Sequence, residues 1–181
     1  TLVGNGVIKV RIIDQDATDV WNKAGIMIRE SLAPGSKNVF IALTSGNGAS
    51  FQSRTLTDGA TLNAATGANI KAPYWVKIDI AGSTYTASVS QDGLVWTQVG
   101  NPVNANFGNG FPVYAGLAVT SHDNTVLSAA HFDNYSLGGV LPLKLISFTG
   151  HLNLDNSVAL QWITTLETNT KYFVVERTTN F

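Results

Sequence analysis

Carboxylates are grouped at one place near the start of the sequence. Asp14, Asp16 and Asp19 fall within six residues. Carboxylate oxygens are the hard ligands that Ca²⁺ takes, and Asp133 could complete the set if the fold brings the two segments together. The segment lacks the glycine and the closing glutamate of an EF-hand, so a solvated loop in which Asp side chains bond the local backbone is the alternative. These four residues are the candidate calcium ligands.

Aromatic side chains with polar neighbours form a second candidate site. A sugar site needs an aromatic face for the apolar side of a pyranose ring and planar polar groups that bond its hydroxyls. Trp75 alternates with Lys77 and Asp79 on the more polar face of one predicted strand. Packing in the core or at a sheet edge is the alternative for each aromatic side chain, and a hydrogen-bonded turn is the alternative for His122. The predicted carbohydrate-binding residues are Trp75, Trp21, Tyr74, Arg54 and His122, with Phe111, Tyr114, Arg29, Asn38 and Gln52 as further candidates.

The sequence contains little that resembles a catalytic motif. Glycoside hydrolysis needs two carboxyl groups, about 5 Å apart in retaining enzymes and about 6.5–9.5 Å apart in inverting ones, with one of them protonated. A Glu-x-Asp motif on a strand would place both groups on one face, but none occurs, and the only glutamates are Glu30, Glu167 and Glu176. There is no Gly-x-Ser-x-Gly motif, and the three histidines are scattered. We therefore expect a domain without catalytic activity.

Composition limits the class of protein that carries these residues. Charged residues make up only 13% of the chain, the net charge is −1 and cysteine is absent. Nucleic acid is therefore an unexpected partner, and disulfide and thiolate chemistry are excluded. The sequence has no run of about 18 apolar residues and no leader pattern, so we expect neither a membrane span nor a signal peptide in this stretch. Abundant Thr, Ser, Asn and Gly favour short strands joined by turns.

Period-2 alternation of apolar residues recurs between turn signals and predicts an all-β fold. The Asp92-Gly93 pair predicts a tight turn, in which Asp92 bonds backbone amides, Gly93 takes a positive φ and Trp96 packs beneath. Segment 113–120 is apolar or small on both faces, which favours a central strand covered on both sides, and 57–71 reads as a long connection. Strands are predicted over residues 7–13, 25–30, 38–44, 49–54, 75–80, 85–89, 95–99, 113–120, 129–137, 144–149, 157–162 and 172–177.

Five sequence blocks over residues 1–137 resemble one known family. The blocks are KAGIMIRESL at 23–32, APYWVK at 72–77, SQDGLVWTQVG at 90–100, GLAVTSHDN at 116–124 and FDN at 132–134. They are similar to the concanavalin A-like lectin/glucanase type of β-sandwich, an antiparallel jelly roll found as an accessory domain in secreted bacterial proteins, often beside glycoside hydrolase domains. The resemblance implies an accessory role, whose parent protein could be a glycoside hydrolase. Relatives carry additional strands before the point at which this chain begins.

A second resemblance begins after the Gly-Gly pair at 138–139. The segments LPLKLISFTG at 141–150, VALQW at 158–162 and FVVER at 173–177 resemble the immunoglobulin- or fibronectin III-like segment of proteins exported by the type 9 secretion system of Bacteroidetes. This resemblance implies a secreted or cell-surface protein. The expected organisation is a β-sandwich over 1–137, a linker over 138–142 and a partial immunoglobulin-like β segment over 143–181.

Two functions agree with this organisation. The first is a non-catalytic carbohydrate-binding module, whose partner is a polysaccharide or glycan, within a larger secreted or surface protein. The second is a structural or adhesive spacer in a multidomain surface protein without a small ligand. A sandwich that lacks its first strands could also complete its sheet with a neighbouring segment, a domain of the same polypeptide or another chain, because open edge amides need partners, so residues 1–137 alone are expected to be oligomeric or poorly soluble.

Overall fold

A computed structural model describes residues 5–66, 69–107, 113–138, 145–155 and 157–164 of the 181-residue chain. The chain divides into two compact units, Thr1–Gly139 and Val140–Phe181. The regular elements of the described residues are all β-strands, and their pairings are antiparallel, so the all-β prediction is confirmed. No helix among these residues is long and apolar enough to cross a bilayer.

The first unit holds two sheets. The larger one has the strand order β11-β1-β6-β7-β8, with β9 also paired to β7, and the smaller one has the order β10-β2-β3-β4-β5. The strands are β1 (Gly6–Gln15), β2 (Lys23–Arg29), β3 (Asn38–Leu43), β4 (Ala49–Arg54), β5 (Leu62–Ala65), β6 (Tyr74–Ala81), β7 (Thr84–Ser90), β8 (Thr97–Gln98), β9 (Val103–Asn104), β10 (Tyr114–Thr120) and β11 (Ala130–Gly138).

The core lies between the two sheets. Strand β1 packs against β2, and β6 and β7 pack against β3, so the sheets stack face to face as a sandwich. Alternate side chains of each strand point inward because the strand period is two, and their burial removes apolar surface from water. The largest fully buried side chains are Ile8, Val10, Ile12, Ile26, Ile28, Val39, Ile41, Leu43, Val76, Ile78, Val89 and Val99.

The structure corrects the predicted position of segment 113–120. This segment forms β10, which is an edge strand and not a central one. Its apolar side chains are exposed: Leu117 at 46% and Val119 at 42%. Leu117 pairs with Ile26 and Val119 with Ala24, which are both fully buried, so the two side chains point to the core side at a place where the sandwich is open. An apolar pattern on both faces does not distinguish a covered strand from an edge that lacks a neighbour.

Two smaller predictions are also corrected. The connection at 57–71 contains the short strand β5, which pairs with β4. The strand predicted over 95–99 is reduced to the two residues of β8 because the preceding residues belong to the turn. Alternation alone places such short elements poorly, since a turn residue can continue an apolar pattern.

The second unit contains a hairpin of β12 (Leu145–Leu152) and β13 (Val158–Thr164). Phe148 pairs with Trp162, and Asp155 accepts hydrogen bonds from the backbone N–H and the hydroxyl of Ser157 in the connecting turn. These bonds hold the pKa of Asp155 below its ordinary value. The third strand predicted in this unit, at 172–177, lies outside the described residues.

Candidate functional site

The outer surface of the six-stranded sheet carries a group of aromatic and basic side chains. The sequence predicted only one member of this group, Trp75, as a site residue. We call this surface the tryptophan face and define it by Lys9, Arg11, Trp75, Lys77 and Trp96. Lys9 pairs with Lys77 and Arg11 with Trp75 across β1 and β6. Their strand neighbours point into the core, so alternation turns these side chains outward.

Both indole rings on this face are half-buried and lie beside lysines. The Lys9 Nζ atom is 5.8 Å from the centroid of the Trp75 ring, and the Lys77 Nζ atom is 4.7 Å from that of Trp96. A cation at this distance is attracted by the negative face of the ring. The two lysines therefore hold the indoles in place and supply hydrogen-bond donors next to them.

The turn after β7 supports the Trp75 ring. Gly93 adopts a φ of +77°, and a Cβ atom built on it would lie 2.9 Å from Cε2 of Trp75, so the backbone of the turn lies directly against the indole. The Asp92 carboxylate accepts hydrogen bonds from the N–H groups of Val95 and Leu94 and from the Ser90 hydroxyl. These bonds hold the pKa of Asp92 below its ordinary value.

The predicted structural role of this turn is confirmed for Asp92 and Gly93. The ring that contacts Gly93 is Trp75, which the sequence proposed as a sugar platform, whereas Trp96 lies against Lys77. Trp75 therefore has one covered side, and the rest of its ring is the part that a ligand could reach.

Charge on the tryptophan face is partly neutralised. The Lys77 amino group lies 2.8 Å from the Asp79 carboxylate. Arg11 donates two hydrogen bonds to Asp133, from Nε at 2.8 Å and from Nη2, and this contact lowers the pKa of Asp133 and raises that of Arg11. Lys9 forms no ion pair among the described residues, so its ammonium group is available to an acceptor outside the chain.

Trp21 and His122 lie in two loops outside the tryptophan face, and Asp19 contacts both residues. The Asp19 carboxylate accepts a hydrogen bond from the backbone N–H of Trp21 at 2.6 Å and lies 3.0 Å from Nδ1 of His122, which has a φ of +59°. Lys23 donates to the Trp21 carbonyl, and burial lowers its pKa. This arrangement links the loop between β1 and β2 to the loop after β10 through internal bonds.

The side chains of the other two predicted sugar-binding residues are not on the tryptophan face. Tyr74 is partly buried and packs against the core. Arg54, on the outer face of the five-stranded sheet, donates to the carbonyl of Pro34 at 2.8 Å and to the Thr61 hydroxyl at 3.2 Å. The structure thus does not bring the five predicted residues into one site; Phe111 lies outside the described residues.

The four candidate calcium ligands each have another partner. Asp14 lies 2.6 Å from Nδ1 of His131, Asp16 accepts a hydrogen bond from the Ala129 N–H at 2.7 Å, and Asp133 is paired with Arg11. Asp19 accepts from the Trp21 N–H, as described above. Within the part of the chain that the structure describes, no group of three or more His, Asp or Glu side chains is placed to hold a metal ion. Calcium binding stays a prediction from the sequence.

Sequence reasoning missed the contribution of β1 to the tryptophan face. Lys9 and Arg11 alternate with buried Ile8, Val10 and Ile12, so their outward orientation was readable from the sequence. Their position beside Trp75 was not, because it depends on the pairing of β1 with β6, which is 60 or more residues away along the chain.

Comparison with solved structures supports the fold. A crystal structure of a mutant of the GH43 protein BlXynB from Bacillus licheniformis matches with a TM-score of 0.62 at 15% identity, over 75% of this chain and 27% of that chain. A functionally unknown protein from Saccharomyces cerevisiae matches with a TM-score of 0.52 at 20% identity, over 77% of this chain and 72% of that one. This chain therefore spans about a quarter of the GH43 protein. No family model and no curated protein matches the sequence. The prediction of an antiparallel β-sandwich is confirmed.

Proposed function

We propose that the first unit is a non-catalytic carbohydrate-binding module of a larger secreted or cell-surface protein. The observation that carries this proposal is the tryptophan face, where Trp75 of β6 and Trp96, directly before β8, lie beside Lys9 and Lys77. Half-buried indoles offer apolar rings that are already ordered, so a sugar ring can stack on them with little loss of side-chain entropy. The lysine ammonium groups can donate hydrogen bonds to ring hydroxyls or carboxylates.

The fold comparison supports a function that involves carbohydrate. The GH43 protein carries a glycoside hydrolase family label, and this chain corresponds in fold to a minor part of it. Accessory β-sandwiches of this size can bind the polymer that a neighbouring catalytic domain cleaves. The concanavalin A-like assignment of the first unit, the immunoglobulin-like assignment of the second, and export by a type 9 system are parts of the same proposal, and they rest on the sequence blocks.

Three carboxylates of the first unit are poorly suited to act as the acid of a glycosidase. A glycosidase acid must keep its proton near neutral pH, which requires a raised pKa. Hydrogen bonds hold the pKa values of Asp92, Asp123 and Asp133 below the ordinary value, so none of these three groups is suited to be such an acid. Glu30 lies 2.8 Å from the Lys37 amino group, in an ion pair.

Affinity electrophoresis in gels that contain soluble polysaccharides tests the proposal. The panel includes neutral xylan and arabinan and acidic pectate. We expect at least one gel to retard the chain, and we expect Trp75→Ala or Lys9→Ala to weaken that retention, Trp75→Ala by roughly tenfold in Kd, which corresponds to about 1.4 kcal/mol. Trp21→Ala is the matched control because this half-buried tryptophan lies in a loop outside the tryptophan face. Circular dichroism checks that every variant is folded.

The spacer function is favoured by a different observation. One side of Trp75 is covered by Gly93, and Lys77 and Arg11 are paired within the chain, as an edge-packing role would require. Retention in no gel, or retention that Trp75→Ala, Trp96→Ala and Lys9→Ala all leave unchanged, would refute carbohydrate binding at this face and favour the spacer.

A further inference from the structure

Strand β10 is a long and unprotected sheet edge. It has seven residues, YAGLAVT, none of which is charged and none of which is proline. Tyr114, Leu117 and Val119 are 45%, 46% and 42% exposed. A row of unpaired N–H and C=O groups flanked by exposed apolar side chains is a template for another strand.

The other edges of the two sheets are protected in the ways that natural proteins use. Strands β8 and β9 have two residues each, and β5 has four. Strand β11 is long, but two register shifts interrupt its pairing with β1, Asn134 has a φ of +52°, and Asp133 is charged. Short strands, bulges and charges all hinder edge-to-edge pairing. Among the described residues, β10 alone among the edges has none of these features.

We propose that β10 pairs antiparallel with β10 of a second copy of this chain, with Leu117 on the two-fold axis. Residues opposite each other in an antiparallel pair lie on the same face of the sheet. This register places Leu117 opposite Leu117 and Ala115 opposite Val119. Side chains that point to the core side in one copy therefore lie next to side chains that point to the core side in the other copy. The two five-stranded sheets then continue into one, and each copy covers the exposed side chains of the other.

Charge favours a second copy as the occupant of this edge. Two neutral strands meet without repulsion, and the cations of the adjacent strand β2 are held by their own copy. Arg29 donates to the carbonyls of Ser31 and Ala33, and Lys23 donates to the carbonyl of Trp21 at 2.7 Å. A Cβ atom built on Gly116 would meet no atom within 4 Å, and a shallow groove of about 340 Å³ beside it is lined by residues that include Met27 and Leu32. This groove gives the partner apolar surface next to the strand.

Cysteine crosslinking of the full 181-residue chain tests the proposal directly. The chain has no cysteine, so Leu117→Cys provides the only thiol. On a two-fold axis the two Cβ atoms lie about 4.5–5.5 Å apart, close to the separation that a disulfide spans. Leu62→Cys is the matched control: Leu62 is 68% exposed and lies on β5, the opposite edge strand of the same sheet. We expect mild oxidation to give covalent dimer at least about tenfold faster for Leu117→Cys, because pairing raises the local thiol concentration.

A second measurement covers the possibility that a cysteine disturbs the strand. Light scattering after size exclusion should show the unmodified chain as a dimer that dissociates on dilution. Leu117→Lys should be monomeric, because it places like charges opposite each other, whereas Leu62→Lys should remain a dimer. A chain that is monomeric at every concentration, or a dimer in which Leu117→Cys crosslinks no faster than Leu62→Cys, would overturn the proposal.

Discussion

The contact between Gly93 and Trp75 predicts a specific loss of stability when a single methyl group is added. Gly93→Ala forces an L-residue into a φ of +77°, and its Cβ atom would lie 2.9 Å from Cε2 and 3.2 Å from two other atoms of the Trp75 ring. The left-handed conformation costs about 1–2 kcal/mol for a residue with a Cβ atom. Crowding against a held ring adds about 1–3 kcal/mol. We therefore expect Gly93→Ala to lower the free energy of unfolding by about 2–5 kcal/mol.

Gly82 provides a matched control for this experiment. It also has a positive φ, +59°, but a Cβ atom built on it would meet nothing within 4 Å. Gly82→Ala should therefore cost only the conformational part, about 1–2 kcal/mol. The reduced entropy of the unfolded chain is common to both substitutions and cancels when they are compared.

Urea unfolding followed by tryptophan fluorescence and by circular dichroism gives both free energies. The difference between the two variants measures the contact with Trp75. Equal losses for Gly93→Ala and Gly82→Ala would refute the view that the turn holds the indole, and with it the rigidity on which carbohydrate binding by this ring depends.

Two further predictions concern the core and an exposed ion pair. Ile78→Ala should lower the free energy of unfolding by about 2–5 kcal/mol, since Ile78 is fully buried, whereas Thr86→Ala on the outer face should change it by less than about 0.5 kcal/mol in urea unfolding. Hydrogen bonding to Asp14 raises the pKa of His131, so the stabilisation by this pair is complete below the unfolded histidine pKa and is lost as the pH rises through the higher folded value. NMR titration should show Asp14→Asn moving the His131 pKa back toward about 6.5, and an unchanged pKa would contradict the pairing.

Much of the strand pattern could be read from the sequence because alternation reports which face of a strand is buried. Strands β3 and β4 and the Asp92-Gly93 turn are close to the predicted ranges. Each is defined by local chemistry: apolar residues at every second position, or the positive φ that glycine tolerates.

Features that depend on distant pairing could not be read in this way. The pattern of β10 is apolar on both faces, which the sequence alone interprets as double coverage, but coverage requires a neighbouring strand. Similarly, alternation along β6 indicates that Trp75 turns outward, but it does not indicate that Lys9 of β1 lies beside the Trp75 ring. The side of a single strand is predictable, and the partner across the sheet is not.

The position of β1 between β6 and β11 has a consequence for how the first unit acquires its structure. Arg11 and Asp133, whose side chains bond across β1 and β11, are separated by 122 residues along the chain. Such long-range contacts form slowly because the intervening chain must lose its entropy before the contact is made. During synthesis, β1 leaves the ribosome before residues 130–138, which form the strand beside it in the folded sheet. The pairing of β1 with β11 is therefore completed only after that segment has been made, and an edge of β1 that waits for its partner is a place where other chains can pair.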